Sequence, residues 1–396
     1  MLMKSVRIYL ICLLTGLCLH GYPQKELKDT TLTGTSGSGK ATLNGYISDM
    51  VSPQYNNILD RWKTINYLNQ RLNFDWNPID KLSFTAQLRT RFIYNQSGPD
   101  TTYFNIHDGF VWQNDKLYFT SMFDRFNLKY TREKLEITVG RQRINWGQSF
   151  VWNPNDLFNS YSYLDFDYVE RPGSDAIRLQ YYNSPTSVTE LAAKIDRDNK
   201  ITIAGLHRFN KSGWDIQFLG GLLSSEDAVI GAGFTGNINS VSLFGEGTYF
   251  RPVKNFADTT ALAMIDIGCA TTFSNKLGLQ FEGLYASKEM NIKSLYNFFE
   301  STLDVRKIAF AKINLFGSVS YPVTPLINSS LALMWFPDTG GISGFYTGPS
   351  FDFSLGNNLG LSVIAQYFTG TFPDAVTLML QKQTLLLSFV RLKWNF

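Results

Sequence analysis

The stretch KLSFTAQLRTRFIY alternates with a period of two. Leu82, Phe84, Ala86, Leu88, Thr90, Phe92 and Tyr94 fall on one face, and Ser83, Thr85, Gln87, Arg89 and Arg91 on the other. That period belongs to a strand, not a helix. The preceding segment repeats it, with Leu68, Leu72, Phe74 and Trp76 opposite Asn69, Arg71, Asn73 and Asp75. An Asn77–Pro78–Ile79–Asp80 turn joins the two.

Composition decides where the apolar face points. Aromatic residues make 15% of the chain and charged residues only 17%, against about a quarter charged in ordinary globular proteins. A chain low in charge and rich in aromatics suits a barrel whose outward residues meet lipid. A basic side chain facing mid-bilayer lipid costs about 2–4 kcal/mol. Arg89 and Arg91 are therefore expected inside, which sets the register. A soluble β-sandwich or propeller would not need lipid-like faces on nearly every segment.

The N-terminus reads as a signal peptide over residues 1–22. Met1–Lys4 and Arg7 supply the basic region, and Ile8–Cys18 the apolar run, which is too short to cross a membrane. Residues 23–40 read as a flexible lead, and 41–396 as one barrel domain. Cys269 is the single cysteine beyond the signal, so no internal disulfide is expected.

Tight links read NPID, TREK, NSPT, NKSG, GNIN, SNK, PVTP and GNN. Longer links are expected around Val51–Thr64, Gln96–Lys116, Gly147–Ser174, Arg251–Thr259, Ser287–Arg306 and Phe372–Leu378. Short links on one rim and long links on the other describe an all-β, single up-and-down antiparallel barrel. With the first strand near Leu43–Ser48, about eighteen strands follow. Trp76, Tyr94, Tyr130, Tyr249, Tyr285, Tyr321, Trp335, Tyr367 and Trp394 suit two interfacial girdles. The last strand, TLLLSFVRLKWNF, turns Val390, Leu392, Trp394 and Phe396 outward. Its C-terminal Phe396 resembles the signature read by outer-membrane assembly machinery, which makes that machinery an expected partner.

Bond chemistry is not expected. The chain has three histidines: His20 at the signal boundary, His107 in a long link and His207 near a short-link end. Neither of the latter two sits in a pattern that suggests a triad. No Cys/His spacing suggests a metal site, and no glycine pair reads as a phosphate loop. No catalytic residue, metal, cofactor or nucleic-acid partner is expected. A plugged transporter of about twenty-two strands is disfavoured by the short lead.

The inward face carries the functional candidates. Arg71, Arg89, Arg91, Arg125, Lys129 and Arg178 line the first half, and Arg391 with Lys393 closes the circle. Asp75, Glu136 and Glu190 oppose them, and Glu246, Asp266, Glu282 and Asp352 make the second half partly acidic. A lumen cationic on one wall favours anionic solutes; alternatively the arginines pair with acids and fill it.

Between Gly140 and Asn159 stands GRQRINWGQSFVWNPNDLFN. Strict alternation sends Arg141 and Arg143 outward. Either Gly140 sits at a bulge that turns both inward, or both lie above the apolar band. GRQ, then NWG, then WNPNDLFN resembles the pattern of porin-like outer-membrane families, the alginate-export type among them. That resemblance implies a Gram-negative outer-membrane barrel. It adds Arg141, Arg143, Trp146, Asn153 and Asp156 to the pore-lining candidates, beside the long Gly147–Ser174 loop. The expectation is a passive channel for small hydrophilic solutes, with a cationic lining that favours anionic ones. The alternative is an occluded barrel that binds or helps export a surface polysaccharide.

Overall fold

The structure is a computed structural model. It describes residues 39–57, 60–95, 110–160, 170–171, 173–196, 198–254, 256, 261–288, 304–337, 342–373 and 379–396. The expected signal peptide and most of the lead lie outside the described residues, as do His107, Tyr161, Tyr163, Asp165 and Asp167.

Nineteen strands run in chain order: β1 Lys40–Asn56, β2 Arg61–Ile79, β3 Leu82–Asn95, β4 Phe110–Gln113, β5 Leu117–Arg132 and β6 Leu135–Gln142. Then come β7 Ser174–Ser184, β8 Ser187–Ile195, β9 Ile201–Lys211, β10 Trp214–Leu223, β11 Asp227–Ile238 and β12 Val241–Pro252. The rest are β13 Leu262–Thr272, β14 Gly278–Ala286, β15 Ile313–Thr324, β16 Ile327–Phe336, β17 Ser343–Ser354, β18 Leu359–Pro373 and β19 Leu380–Asn395. Each ring strand pairs antiparallel with its sequence neighbours, and β1 pairs with β19, so the sheet closes. The short β4 stands outside the ring. It pairs with β5 through Phe110–Gln113, while β3 pairs with β5 directly. Eighteen strands remain in the barrel, an even number that leaves both ends of the ring on one rim.

The closing seam joins Tyr46 to Asn395 and Val51 to Val390. Beyond the ladder, Gly45 and Phe396 exchange both backbone hydrogen bonds, at 2.9 and 3.0 Å. A closed ring has no free edge, so every wall amide can be satisfied without water.

Two expectations about segment lengths are corrected. The first strand is longer than Leu43–Ser48, and the Val51–Thr64 stretch is mostly strand, with β1 running to Asn56 and β2 starting at Arg61. Alternation hid this, because Ser52, Gln54, Asn66 and Thr64 look loop-like while occupying ordinary strand positions. The longest link is the one expected, between β6 and β7.

The outward face is apolar, as the alternation requires. Ile177, Leu191, Phe218, Ile230, Ile267, Phe281, Leu333 and Val390 are all exposed on it. On the long-link side the inner wall is also apolar. Met50, Ile65, Ile93, Met264, Phe336 and Leu385 point inward and are buried, forming one cluster with Trp146, Phe158 and Phe310 from two links. The barrel therefore carries a hydrophobic core inside its upper half, which the sequence reading did not foresee.

Candidate functional site

The cationic wall is built first, on β2, β3 and β5. Arg71, Arg89 and Arg91 are alternate residues of paired strands, with Arg71 opposite Arg89 and Asn69 opposite Arg91. Three guanidinium groups this close need counter-charge. It comes from Asp124, which the sequence reading missed.

The β3–β5 register slips between Gln87 and Leu88, where Gln87 faces Arg125 and Leu88 faces Phe123. Asp124 is the extra residue of this bulge. Phe123 and Phe126 are both exposed, while Asp124 between them is fully buried. A bulge places two successive residues on one side, so Asp124 and Arg125 both turn inward. Asp124 is ion-paired with Arg71 and lies 3.6 Å from the Arg89 Nε. Arg71 also donates to Gln87 Oε1 at 2.6 Å and Asn73 Oδ1 at 2.8 Å. Arg91 donates to Asn69 Oδ1 at 3.0 Å. The sequence signal was two phenylalanines three residues apart in an otherwise alternating strand.

Arg125 reaches the returning end of the long loop, donating to the Glu170 carbonyl at 2.7 Å and the Arg171 carbonyl at 3.1 Å. Lys129 faces Glu136 at 3.6 Å, and Arg178 holds Glu190 at 2.6 Å. Arg391 lies 3.4 Å from Ser362 Oγ, whose hydroxyl donates to Asp352 at 2.6 Å. Arg71, Arg89, Arg178 and Lys129 each meet an acid, the pairing that the alternative expectation described.

Beyond Gln142 the chain leaves the wall and turns into the barrel. Gly140 has a φ of +110°, and a Cβ there would collide with the Phe126 carbonyl. Glycine is therefore required, but no register slip accompanies it on either side. Alternation continues through it, so the expected parity reversal at Gly140 does not occur. Arg141 stays on the outer face at the end of β6, with Nε and Nη2 bonded to Asp175 at 2.8 and 2.6 Å. It does not reach the lumen, which corrects its place among the pore-lining candidates. Arg143, already inside, takes the other direction, and its charge acts on Asp156.

The infolded segment then crosses to the acidic wall. Trp146 is fully buried and donates from Nε1 to Glu190 at 2.9 Å. Its carbonyl accepts from Gln217 Nε2 at 2.6 Å. Glu246 on β12 accepts backbone N–H groups of Gln148, Ser149 (2.7 Å) and Asn155 (2.9 Å). Glu282 on β14 accepts those of Val151 (3.0 Å) and Trp152 (2.8 Å). A hydrogen bond of this kind contributes about 0.5–1.5 kcal/mol net, so several on each side chain fix the loop backbone. Asn155 adds bonds to Ala232 O at 3.0 Å and from Thr248 Oγ1 at 2.7 Å.

Within the segment, Asn-Pro-Asn-Asp makes a self-closed turn. Asp156 N–H donates to the Asn153 carbonyl at 3.1 Å, and Asp156 Oδ1 accepts from Asn159 N–H at 3.3 Å. Asn159 Oδ1 in turn accepts the Ile144 N–H at 2.7 Å. Phe158 packs edge-on to Trp146 with centroids 4.9 Å apart, and its carbonyl accepts from Lys194 at 2.8 Å. Asn153 and Asp156 are buried in this turn. They shape the loop from within.

A second segment closes the long-link rim. Val305–Lys307 is a 3-10 turn capped by Asp304, and Ile308 to Ala311 are buried behind it. Asn314 Oδ1 accepts the N–H groups of Phe310 and Ala311, both at 3.0 Å. Phe310 packs on Phe336 with centroids 4.6 Å apart. Arg306 pins the segment to the β10–β11 turn through Glu226 (2.7 Å) and Asp227 (2.6 Å). Lys200 joins Glu226 at 2.5 Å.

The arrangement is a closed eighteen-strand barrel of porin type, with one loop folded against an acidic inner wall and an arginine wall left facing it. Solved structures of similar fold include three from Pseudomonas aeruginosa and Acinetobacter baumannii. The outer membrane protein OprD from Pseudomonas aeruginosa matches with a TM-score of 0.60 and 8% identity, over 91% of this chain and 95% of that one. OccAB4 of Acinetobacter baumannii matches at 0.59 and 10%, over 92% and 100%. OccK11 (OpdR) of Pseudomonas aeruginosa matches at 0.56 and 9%, over 92% and 99%. Likeness at this identity concerns the fold. No family model matches the chain, and no curated protein matches it in sequence.

Among the described residues no group of acidic, histidine or cysteine side chains is arranged to hold a metal, and no helix is long and apolar enough to cross a membrane.

Proposed function

We propose that this chain is a Gram-negative outer-membrane channel for passive diffusion of small hydrophilic solutes, preferring anions. The observation that carries the reading is the asymmetry of the lumen. The acids of β8, β12 and β14 are taken up by loop backbone and by Arg178, whereas Arg91 on β3 and Arg125 on β5 are half-buried and bond to the Asn69 amide and to backbone carbonyls. A solute passing between them meets guanidinium groups on one side and neutral backbone on the other, which favours negative charge. The solved barrels of like fold include one described as an outer membrane protein, which supports the location. The strand ending at Phe396 fits an assembly-machinery partner.

The apolar packing inside the upper barrel favours a second reading, an occluded barrel that binds or helps export a surface polysaccharide, the role nearer to the alginate-export type. Planar-bilayer recording separates the two. The channel reading expects discrete current from the purified, folded protein, and a reversal potential in a KCl gradient that shifts towards cations when Arg89 and Arg91 are replaced by Ser. No current at all rejects the channel; current with an unmoved reversal potential rejects the anion preference.

A further inference from the structure

The outer wall carries an anomaly on β1. Odd-numbered residues of that strand face outward, and among them Asp49 is exposed. It lies midway between two aromatic rows, where Ala41 faces Trp76 and Tyr55 faces Trp62. Its direct neighbours across the strands are Leu68 and Leu392. Other outward charges of the described strands sit at strand ends, such as Arg132, Arg141, Asp175, Arg251 and Lys382. Among the described residues the Asp49 carboxylate meets only the backbone N–H of Met50.

The polarity continues sideways. Gln70 lies opposite Ile47 on one side and Thr90 on the other, and Thr90 lies opposite Ser121. The Thr90 and Ser121 hydroxyls are bonded at 3.2 Å. Asn66, opposite Val51, adds a second outward amide. Neither the Gln70 nor the Asn66 amide has a hydrogen-bond partner among the described residues. Nowhere else on the described outer wall does a mid-strand carboxylate stand beside two unused amides. Lipid offers such groups nothing.

We propose that the outer face of β1, β2 and β3 is the contact surface for a second copy of this chain, around a two-fold axis along the barrel. The patch is self-complementary. It presents one acceptor-only carboxylate, Asp49, beside the donor amides of Gln70 and Asn66 on the next strand. A two-fold axis between β1 and β2 sets Asp49 of each copy against the amides of the other, as an isologous interface requires. Leu68, Phe92 and Val51 around it supply the apolar contact. This inference concerns assembly and does not depend on what passes through the lumen.

The test is the mass of the protein–detergent complex by light scattering, on protein extracted in mild detergent and also directly into nanodiscs. The wild type is expected at two chains. The Asp49→Leu, Gln70→Leu variant is expected at one chain, with heat-modifiable gel migration retained. A one-chain wild type in both preparations, a two-chain variant, or a complex with a different protein overturns the proposal. Should the variant not fold, Gln70→Cys in a Cys269→Ser background supplies the second measurement. A short bismaleimide in native membranes is expected to join two copies through Gln70→Cys and not through Ile230→Cys, which lies on β11, eight strands away around the ring. Equal joining at both sites, or none at Gln70→Cys, rejects the interface.

Discussion

The Asp124 carboxylate, turned inward by a one-residue bulge of β5, is ion-paired with the Arg71 guanidinium on β2. The two are 0% and 2% exposed, and Arg89 shares the same acid. This pairing sets how much positive charge the arginine wall presents to the lumen.

Removing the acid therefore has two effects of opposite value. Asp124→Asn removes the buried carboxylate that Arg71 and Arg89 share, leaving Arg71 the Glu170 carboxylate at 3.9 Å, and breaking a buried pair in this way costs about 3–5 kcal/mol. The heat-modification midpoint in detergent is expected to fall. Anion-over-cation permeability of the protein that still folds is expected to rise. An unchanged midpoint would mean that water already screens the pair.

Gly140 is the point where β6 hands over to the infolded loop. Its positive φ and the nearby Phe126 carbonyl leave no room for a side chain. Gly140→Ala is expected to destabilise the barrel by about 1–3 kcal/mol, read as a lower midpoint in urea. A midpoint equal to wild type would show that the backbone relaxes there freely.

The rim segment carrying Arg306 responds to acid. Hydrogen bonds from Lys200 first, and then from Arg306, hold the Glu226 carboxyl down at about 2 against an ordinary 4.5. A depressed acid stabilises the folded rim above its ordinary value, and this contribution is lost as pH falls from about 4.5 towards 2. Hydrogen exchange in Val305–Ala311 is expected to be slow at pH 7 and to speed up, after correction for intrinsic rates, between pH 4 and pH 2. In Glu226→Gln that acid-dependent step should shrink, leaving the part that Asp304 and Asp227 hold through Arg306.

Much of the barrel is legible in the chain because lipid enforces one rule at every outward position. Arg89 and Arg91 fixed the register of β3, and the even strand number followed from the alternation of NPID-like turns with long links. The site was legible only in its parts. Glu246 and Glu282 read as inward acids, yet their partners are backbone N–H groups of a loop about a hundred residues away, and backbone donors leave no mark in sequence. Asp124 was hidden by a parity slip of one residue between two phenylalanines. The direction of Arg141 could not be read, since glycine at a positive φ serves a bulge and a simple exit from the wall equally well. The inner apolar core was invisible for a related reason. Met50, Ile65 and Met264 point inward, but period two cannot tell inside from outside when both faces are apolar.

In the proposed channel, the loop held on Glu246 and Glu282 sets the width of the conducting path. Single-channel conductance of wild type and of Glu246→Gln, Glu282→Gln in the same bilayer tests it most directly. Neutral amides weaken the charge-assisted bonds that fix the segment from Gln148 to Asn155. Discrete openings are expected for the wild type, and a larger, noisier unit conductance for the double variant. Identical unit conductance in the two proteins, with the variant folded, would contradict it.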